Sequence, residues 1–243
     1  MTDPTFIVIG GQKCGTTWMY AMLRQHPAVL TSRIKEVHYF DKLEHYSKGI
    51  DWYRRQFPDA GGGTAVGEFT PNYLSPSWDF DDIPALVARD YPFLRLIVSL
   101  RDPVERAISA YYHHIRAGRV LPADRILDVK DQHGIVTMGL YEQHLRQWRQ
   151  YFAPDQMLCL IYEEDLSDRW KCRTLQRICR HLGVDEAFHP EGLTARFNER
   201  TSDAGRPPVR DFEREALQRI FLEPSQRLAG LLGRPLPWPW LTS

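Results

Sequence analysis

The chain has few cysteines, no surplus of either charge and no long apolar run. Its four cysteines, Cys14, Cys159, Cys172 and Cys179, form no Cys-x-x-Cys pair. Neither a metal centre nor a disulfide framework is expected, and free thiols suit a reducing compartment. Thirty-one basic residues balance thirty-one acidic ones, so the global field that nucleic-acid and membrane-surface proteins use is missing. Any anion site must be built locally. No run of about 18 apolar residues is present, and no basic stretch leads into an apolar one before the first strand pattern begins. A cytoplasmic protein with no membrane or nucleic-acid partner is expected. Repeats, low-complexity tracts and linker-like stretches are also absent, so residues 1–243 read as one domain, near the upper size for a single core.

What is present alternates strand with helix. The runs 6–9, 94–100 and 157–162 are too apolar for half-exposed strands and fit the centre of a parallel sheet. Weaker strands are expected at 28–30 and 65–69. Helices are expected over 16–25, 48–57, 82–90, 103–118, 137–152 and 170–182. Two more should close the chain, 211–221 and 225–232. This order predicts an α/β fold, a central parallel sheet flanked by helices. Segment 120–134 reads as a lid-like loop, 195–209 as an ordered loop, and the tail 235–240, rich in proline and tryptophan, as packed on the body. Cys172 and Cys179, seven apart in one helix, are expected to share a packed face.

The stretch Phe6-Ile-Val-Ile-Gly10-Gly11-Gln12-Lys13-Cys14-Gly15-Thr16-Thr17-Trp18 carries the first chemistry. A buried strand, a glycine turn and a helix start leave free N–H groups at the positive end of a helix dipole, which is an anion site. Lys13 adds a full charge, and Thr16 and Thr17 add hydroxyls. Lysine precedes the glycine rather than the hydroxyl residue, so this is not a Walker A loop, nor is it the G-x-G-x-x-G dinucleotide fingerprint. A second constellation is Arg101-Asp102-Pro103 with Ser109. Arginine at the carboxyl end of a strand stands where open α/β sheets bind ligands, and its planar fork suits phosphate. By itself it would serve equally as a structural ion-pair partner. Asp102 suits a helix N-cap and Pro103 the first helical turn. Glu36, between Lys35 and His38, would by pattern alone be a solvated charge, and His113-His114 a helix-surface pair rather than a metal site.

Phe6–Trp18 resembles the 5′-phosphosulfate loop of sulfotransferases that use 3′-phosphoadenylyl sulfate (PAPS). Arg101-Asp102-Pro103-x-x-Arg106-Ala107-x-Ser109-x-Tyr111 resembles their 3′-phosphate segment. Glu36-Val37-His38-Tyr39-Phe40-Asp41, Gly49–Tyr53, Thr70-Pro71-Asn72-Tyr73 and Gly233-Arg234…Trp238 extend the likeness, most closely to the heparan sulfate and related carbohydrate branch. The resemblance implies the P-loop NTPase-like sulfotransferase fold. It implies PAPS as donor, adenosine 3′,5′-bisphosphate as product, and no metal. Lys13, Cys14, Gly15, Thr16, Thr17 and Trp18 would hold the phosphosulfate end, Arg101 and Ser109 the 3′-phosphate, and Arg206 a loop over the donor. Lys13 would also stabilise the departing phosphate, Glu36 act as base, and His38 assist it. His38, Tyr39, Glu68 and Tyr73 would touch a sugar or small-molecule acceptor, sulfated on a hydroxyl or, less readily, an amine. Phe69 stands where the carbohydrate branch has lysine, which points to a less charged acceptor. A P-loop-type nucleotide-dependent kinase is the alternative.

Overall fold

The apolar runs form strands β1 (Phe6–Gly10), β2 (Val29–Thr31), β3 (Ala65–Phe69), β4 (Arg95–Leu100) and β5 (Met157–Ile161), all parallel and in the order β2-β3-β1-β4-β5. The computed structural model describes residues 1–61, 64–195, 197 and 207–241. Among these the α-helices are α1 (Thr16–Leu23), α2 (Leu43–Tyr46), α3 (Ile50–Arg54), α4 (Ile83–Asp90), α5 (Pro103–Arg116), α6 (Tyr141–Trp148), α7 (Tyr162–Asp165), α8 (Lys171–Leu182) and α9 (Asp211–Leu232). None of them is long and apolar enough to cross a membrane.

Both faces of the sheet are covered. Ile7, Ile9, Leu96 and Val98 pack with Tyr53, Trp148 and Trp238 on one face. Phe6, Val8, Ile97 and Leu160 pack with Trp18, Met19 and Ile178 on the other. That double burial explains why these strands are continuously apolar instead of alternating. β1 lies in the middle. The chain runs from it toward β2 and β3 on one side, then crosses to β4 and β5 on the other. The loops after β1 and β4 therefore adjoin at the carboxyl edge, the switch point where such sheets place ligands.

The turn after β4 is held from several sides. Asp102 caps α5, accepting from Val104 N at 2.9 Å and Glu105 N at 3.5 Å, with Pro103 in the first turn. Trp240 Nε1 donates to Asp102 Oδ2 at 2.8 Å. Glu163 accepts from Asp102 N at 2.9 Å and from Trp238 Nε1 at 3.3 Å. The tail thus packs on the body as expected and braces the arginine that precedes the cap.

Several local expectations need correction. The helix expected over 137–152 is a 3-10 turn, Thr137–Gly139, followed by α6. Leu140, at φ −82° and ψ 59°, breaks it. Gly139 lies so close to α9 that a Cβ would stand 2.9 Å from Phe221 Cε1. The two closing helices are one. α9 runs through Pro224 because Leu217, Phe221 and Leu228 keep one buried stripe across it, which outweighs the lost backbone bond. The 48–57 helix shrinks to α3, and α2 precedes it. Segment 120–134 is no exposed flap: Val120, Ile126 and Val129 are buried against α5 and α9. Cys179 is buried but Cys172, in the first turn of α8, is exposed. His114 is buried and stacks on His133 at 4.9 Å, so of the histidine pair only His113 keeps partial exposure.

Candidate active site

The loop after β1 meets α1 through Gly15, the N-cap, at φ 88°. Only glycine suits this position, since an added Cβ would run into Leu166 Cδ2. No side chain caps α1 and no acidic residue occupies its first turn, so the positive end of the dipole faces the cleft. Lys13 is itself left-handed, at φ 70°. Its carbonyl accepts from Arg101 Nη1 at 3.4 Å, which ties this loop to the end of β4. Arg101 also lies 5.0 Å over the Tyr162 ring. Among the described residues no carboxylate pairs with it, so a ligand phosphate would meet an uncompensated guanidinium.

A cleft of about 1370 Å³ opens here. Gln12, Lys13, Gly15, Thr16, Thr17 and Trp18 form one wall, and Arg101 lies at its floor. α5 contributes a stripe at helical spacing: Glu105, Ile108, Ser109, Tyr112, His113 and Arg116. Glu36 also lines the cleft, as do Ser167, Asp168 and Lys171. Two further cations are neutralised, Lys171 by Asp168 at 2.7 Å and Arg214 by Glu105 at 2.5 Å.

Glu36 and His38 lie in left-handed backbone, φ 63° and 55°. Non-glycine residues seldom adopt it, and it persists where surrounding contacts enforce it. Lys35 Nζ donates to Glu36 Oε1 at 2.6 Å. His38 Nε2 lies 3.6 Å from Glu36 Oε2, and its Nδ1 2.8 Å from Asp41 Oδ2. The imidazole is clamped between two carboxylates. The adjacent His38 ring draws the Glu36 carboxyl down to about 2, with Lys35 helping against burial. Burial opposes charge on His38, but the bonds to Asp41 and Glu36 outweigh it and lift the ring to about 9.

A pH dependence follows from these shifts. Glu36 stabilises the fold above its ordinary 4.5 and stops doing so as pH falls through about 2. His38 stabilises fully below its ordinary 6.5 and ceases as pH rises through about 9. Urea midpoints from pH 6 to 10 should therefore decline across the upper window, and His38→Asn should flatten the decline. An equally steep decline in the variant would place its source elsewhere.

Not every residue expected at the site reaches the cleft. The Cys14 thiol is fully buried, with Tyr141 OH at 3.7 Å, and burial pushes it up to about 11; only its backbone belongs to the loop. Tyr39, Glu68 and Tyr73 are buried and do not line the cleft. Phe69 faces the opposite side of β3, edge-on to Phe6 at 5.9 Å and Tyr20 at 5.2 Å. Arg206 lies outside the described residues. His113 was missed: it lines the cleft, and burial followed by the charges of Lys13 and Arg116 depresses its pKa. Its spacing of four from Ser109 on α5 was the available signal.

Fold and site together define an open parallel α/β protein with a cation-lined cleft at the switch point of its sheet. The sulfotransferase domain model matches residues 3–199. The chain belongs to that family. It is 33% identical to human heparan sulfate glucosamine 3-O-sulfotransferase 6 over 174 residues, 68% of this chain and 48% of that protein. Curated relatives of this kind are spanned over just under half their length. A crystal structure of a sulfotransferase from Alicyclobacillus acidocaldarius superposes with TM-score 0.78 at 25% identity, covering 99% of both chains. Mouse sulfotransferase SULT7A1 complexed with PAP shares the fold at TM-score 0.51 and 15% identity, over 90% of this chain and 64% of that one.

Proposed function

We propose that the chain transfers a sulfuryl group from PAPS to a hydroxyl, less readily an amine, of a sugar or small-molecule acceptor. The observation that carries this reading is the single cleft joining Lys13, the uncapped start of α1, Arg101 and Ser109 to the carboxylate of Glu36. An elongated donor with anionic groups at both ends fits that arrangement. Lys13 and the α1 N–H groups would hold the phosphosulfate end and offset the charge that grows on the departing phosphate. Arg101 and Ser109 would hold the 3′-phosphate. Glu36, ionised at neutral pH, would accept a hydrogen bond from the acceptor hydroxyl, align its oxygen opposite the leaving phosphate, and take the proton as the new O–S bond forms. His38 and Asp41 would keep that carboxylate aimed.

The relatives named above support a sugar hydroxyl as acceptor, and the PAP complex of a structural neighbour supports a bisphosphate product. A nucleotide-dependent kinase fits less well, since family membership and the missing Lys-Ser/Thr pair both speak against it. The test is transfer of labelled sulfate from PAPS to a panel of glucosamine-containing oligosaccharides, alcohols and phenols, with ATP and Mg²⁺ in parallel. Label should move to an acceptor. Phosphate transfer from ATP with no use of PAPS would overturn the reading.

Arg101→Ala should weaken adenosine 3′,5′-bisphosphate binding by about 10- to 100-fold, the size of a lost charge-assisted contact. Titration calorimetry reads this directly. Unchanged affinity would remove Arg101 from the 3′-phosphate.

A further inference from the structure

Three hydroxyls converge on a carboxyl that solvent does not reach. Glu68 is 0% exposed. Its Oε1 accepts from Tyr53 OH at 2.6 Å and Tyr73 OH at 3.1 Å, and its Oε2 from Thr70 Oγ1 at 2.6 Å. Two of these hydroxyls reach onward. Thr70 Oγ1 accepts from the His38 amide at 3.4 Å, and Tyr73 OH accepts from the amides of Tyr39 at 2.8 Å and Phe40 at 3.3 Å. A hydroxyl carries one proton. With that proton donated to Glu68, Thr70 and Tyr73 present only lone pairs, which is what the three amides require.

We propose that Glu68 is a positioning residue whose carboxylate orients the Thr70 and Tyr73 hydroxyls to hold backbone 38–40, and with it the Glu36–His38 pair. The consequence for turnover rests on the sulfuryl-transfer reading; the architecture does not. Left-handed backbone at Glu36 and His38 needs such outside bonds to persist. Burial pushes Glu68 up to about 7, although the three hydroxyls pull it down and Asp41 adds its own push. The groups facing it are Tyr53 from α3, Thr70 and Tyr73 after β3, and Asp41 beside His38, with Tyr91 behind Tyr53. Below about 7 the carboxyl carries its own proton and competes with an amide for a hydroxyl lone pair. Because the folded value lies above the ordinary 4.5, ionising Glu68 costs stability as pH rises, while the positioning is gained. The two trends oppose each other, which separates a positioning role from a merely structural one.

The test is Glu68→Gln in the full chain, read by amide hydrogen exchange and by turnover. Exchange at His38, Tyr39 and Phe40 should quicken at least tenfold, with α1 and α5 unchanged. Bisphosphate affinity should stay within twofold. With PAPS and an N-sulfated glucosamine oligosaccharide as acceptor probe, wild-type turnover should show an acid limb near pH 7, and turnover of the variant should be at least tenfold lower and lack that limb. Unchanged exchange at 38–40 overturns the inference, as does wild-type turnover or a retained acid limb in the variant. If wild type transfers no sulfate, the functional reading fails, and exchange alone decides for or against Glu68. If Glu68→Gln does not fold, Tyr73→Phe replaces it: exchange should rise at Tyr39 and Phe40 but not at His38, and a uniform or absent rise overturns the proposal.

Discussion

Glu36→Gln should bind adenosine 3′,5′-bisphosphate as wild type does and transfer sulfate about 10²- to 10⁴-fold more slowly, the range general-base catalysis supplies. The substitution keeps the shape of the side chain. His38 stays held by Asp41 at 2.8 Å, and the amide oxygen can still accept from Lys35 as Glu36 Oε1 does at 2.6 Å, so the loop need not collapse. What is lost is the negative charge that takes the acceptor proton. Rapid-mix turnover beside bisphosphate titration separates the two effects. Turnover within twofold of wild type would shift the base to another group, and His113, which shares the cleft with Glu36 and Lys13, is the next to test.

Lys13→Met should lower turnover by about 10²- to 10³-fold, the cost of removing one preorganised stabiliser of developing charge, and weaken PAPS binding by a smaller factor. The two effects differ in size because the charge on the leaving phosphate is larger in the transition state than in bound donor. Methionine preserves the aliphatic stem, so packing along the cleft wall is largely kept. The backbone of residue 13, at φ 70° and bonded to Arg101, makes no demand on the ammonium. Turnover and affinity falling by equal factors would make Lys13 a binding residue only.

Much of this was legible before the structure, for identifiable reasons. Continuous apolar runs have one good home, a parallel sheet buried on both faces, so the central strands read out directly. Asp102-Pro103 announced a helix start because cap and proline act locally, and the structure keeps both. Lys13 and Arg101 were legible because each follows a strongly apolar strand; that these loops adjoin came only with the sheet order. Features set by tertiary contact were not. The closing segment read as two helices, and only the unbroken stripe Leu217, Phe221, Leu228 shows why α9 continues through Pro224. Tyr39, Glu68, Phe69 and Tyr73 looked like cleft residues in the linear chain, but the period-2 alternation of β3 sends Glu68 and Phe69 to opposite faces, and neither face is the cleft. The clamp on His38 was hidden as well. Glu-x-His-x-x-Asp has no helical or strand period to announce it, and the left-handed residues that close it carry no glycine signal.

The most direct test of the central claim is a comparison of two ligands on the wild-type chain by calorimetry, adenosine 3′,5′-bisphosphate and adenosine 5′-monophosphate. A cradle for both ends of PAPS predicts about a hundredfold preference for the bisphosphate, the worth of two charge-assisted bonds of roughly 1.5 kcal/mol each. That preference should fall to about tenfold in Arg101→Ala, the worth of the Ser109 bond that remains. Equal affinity for the two nucleotides in wild type, or tighter binding of ATP than of either, would contradict the account.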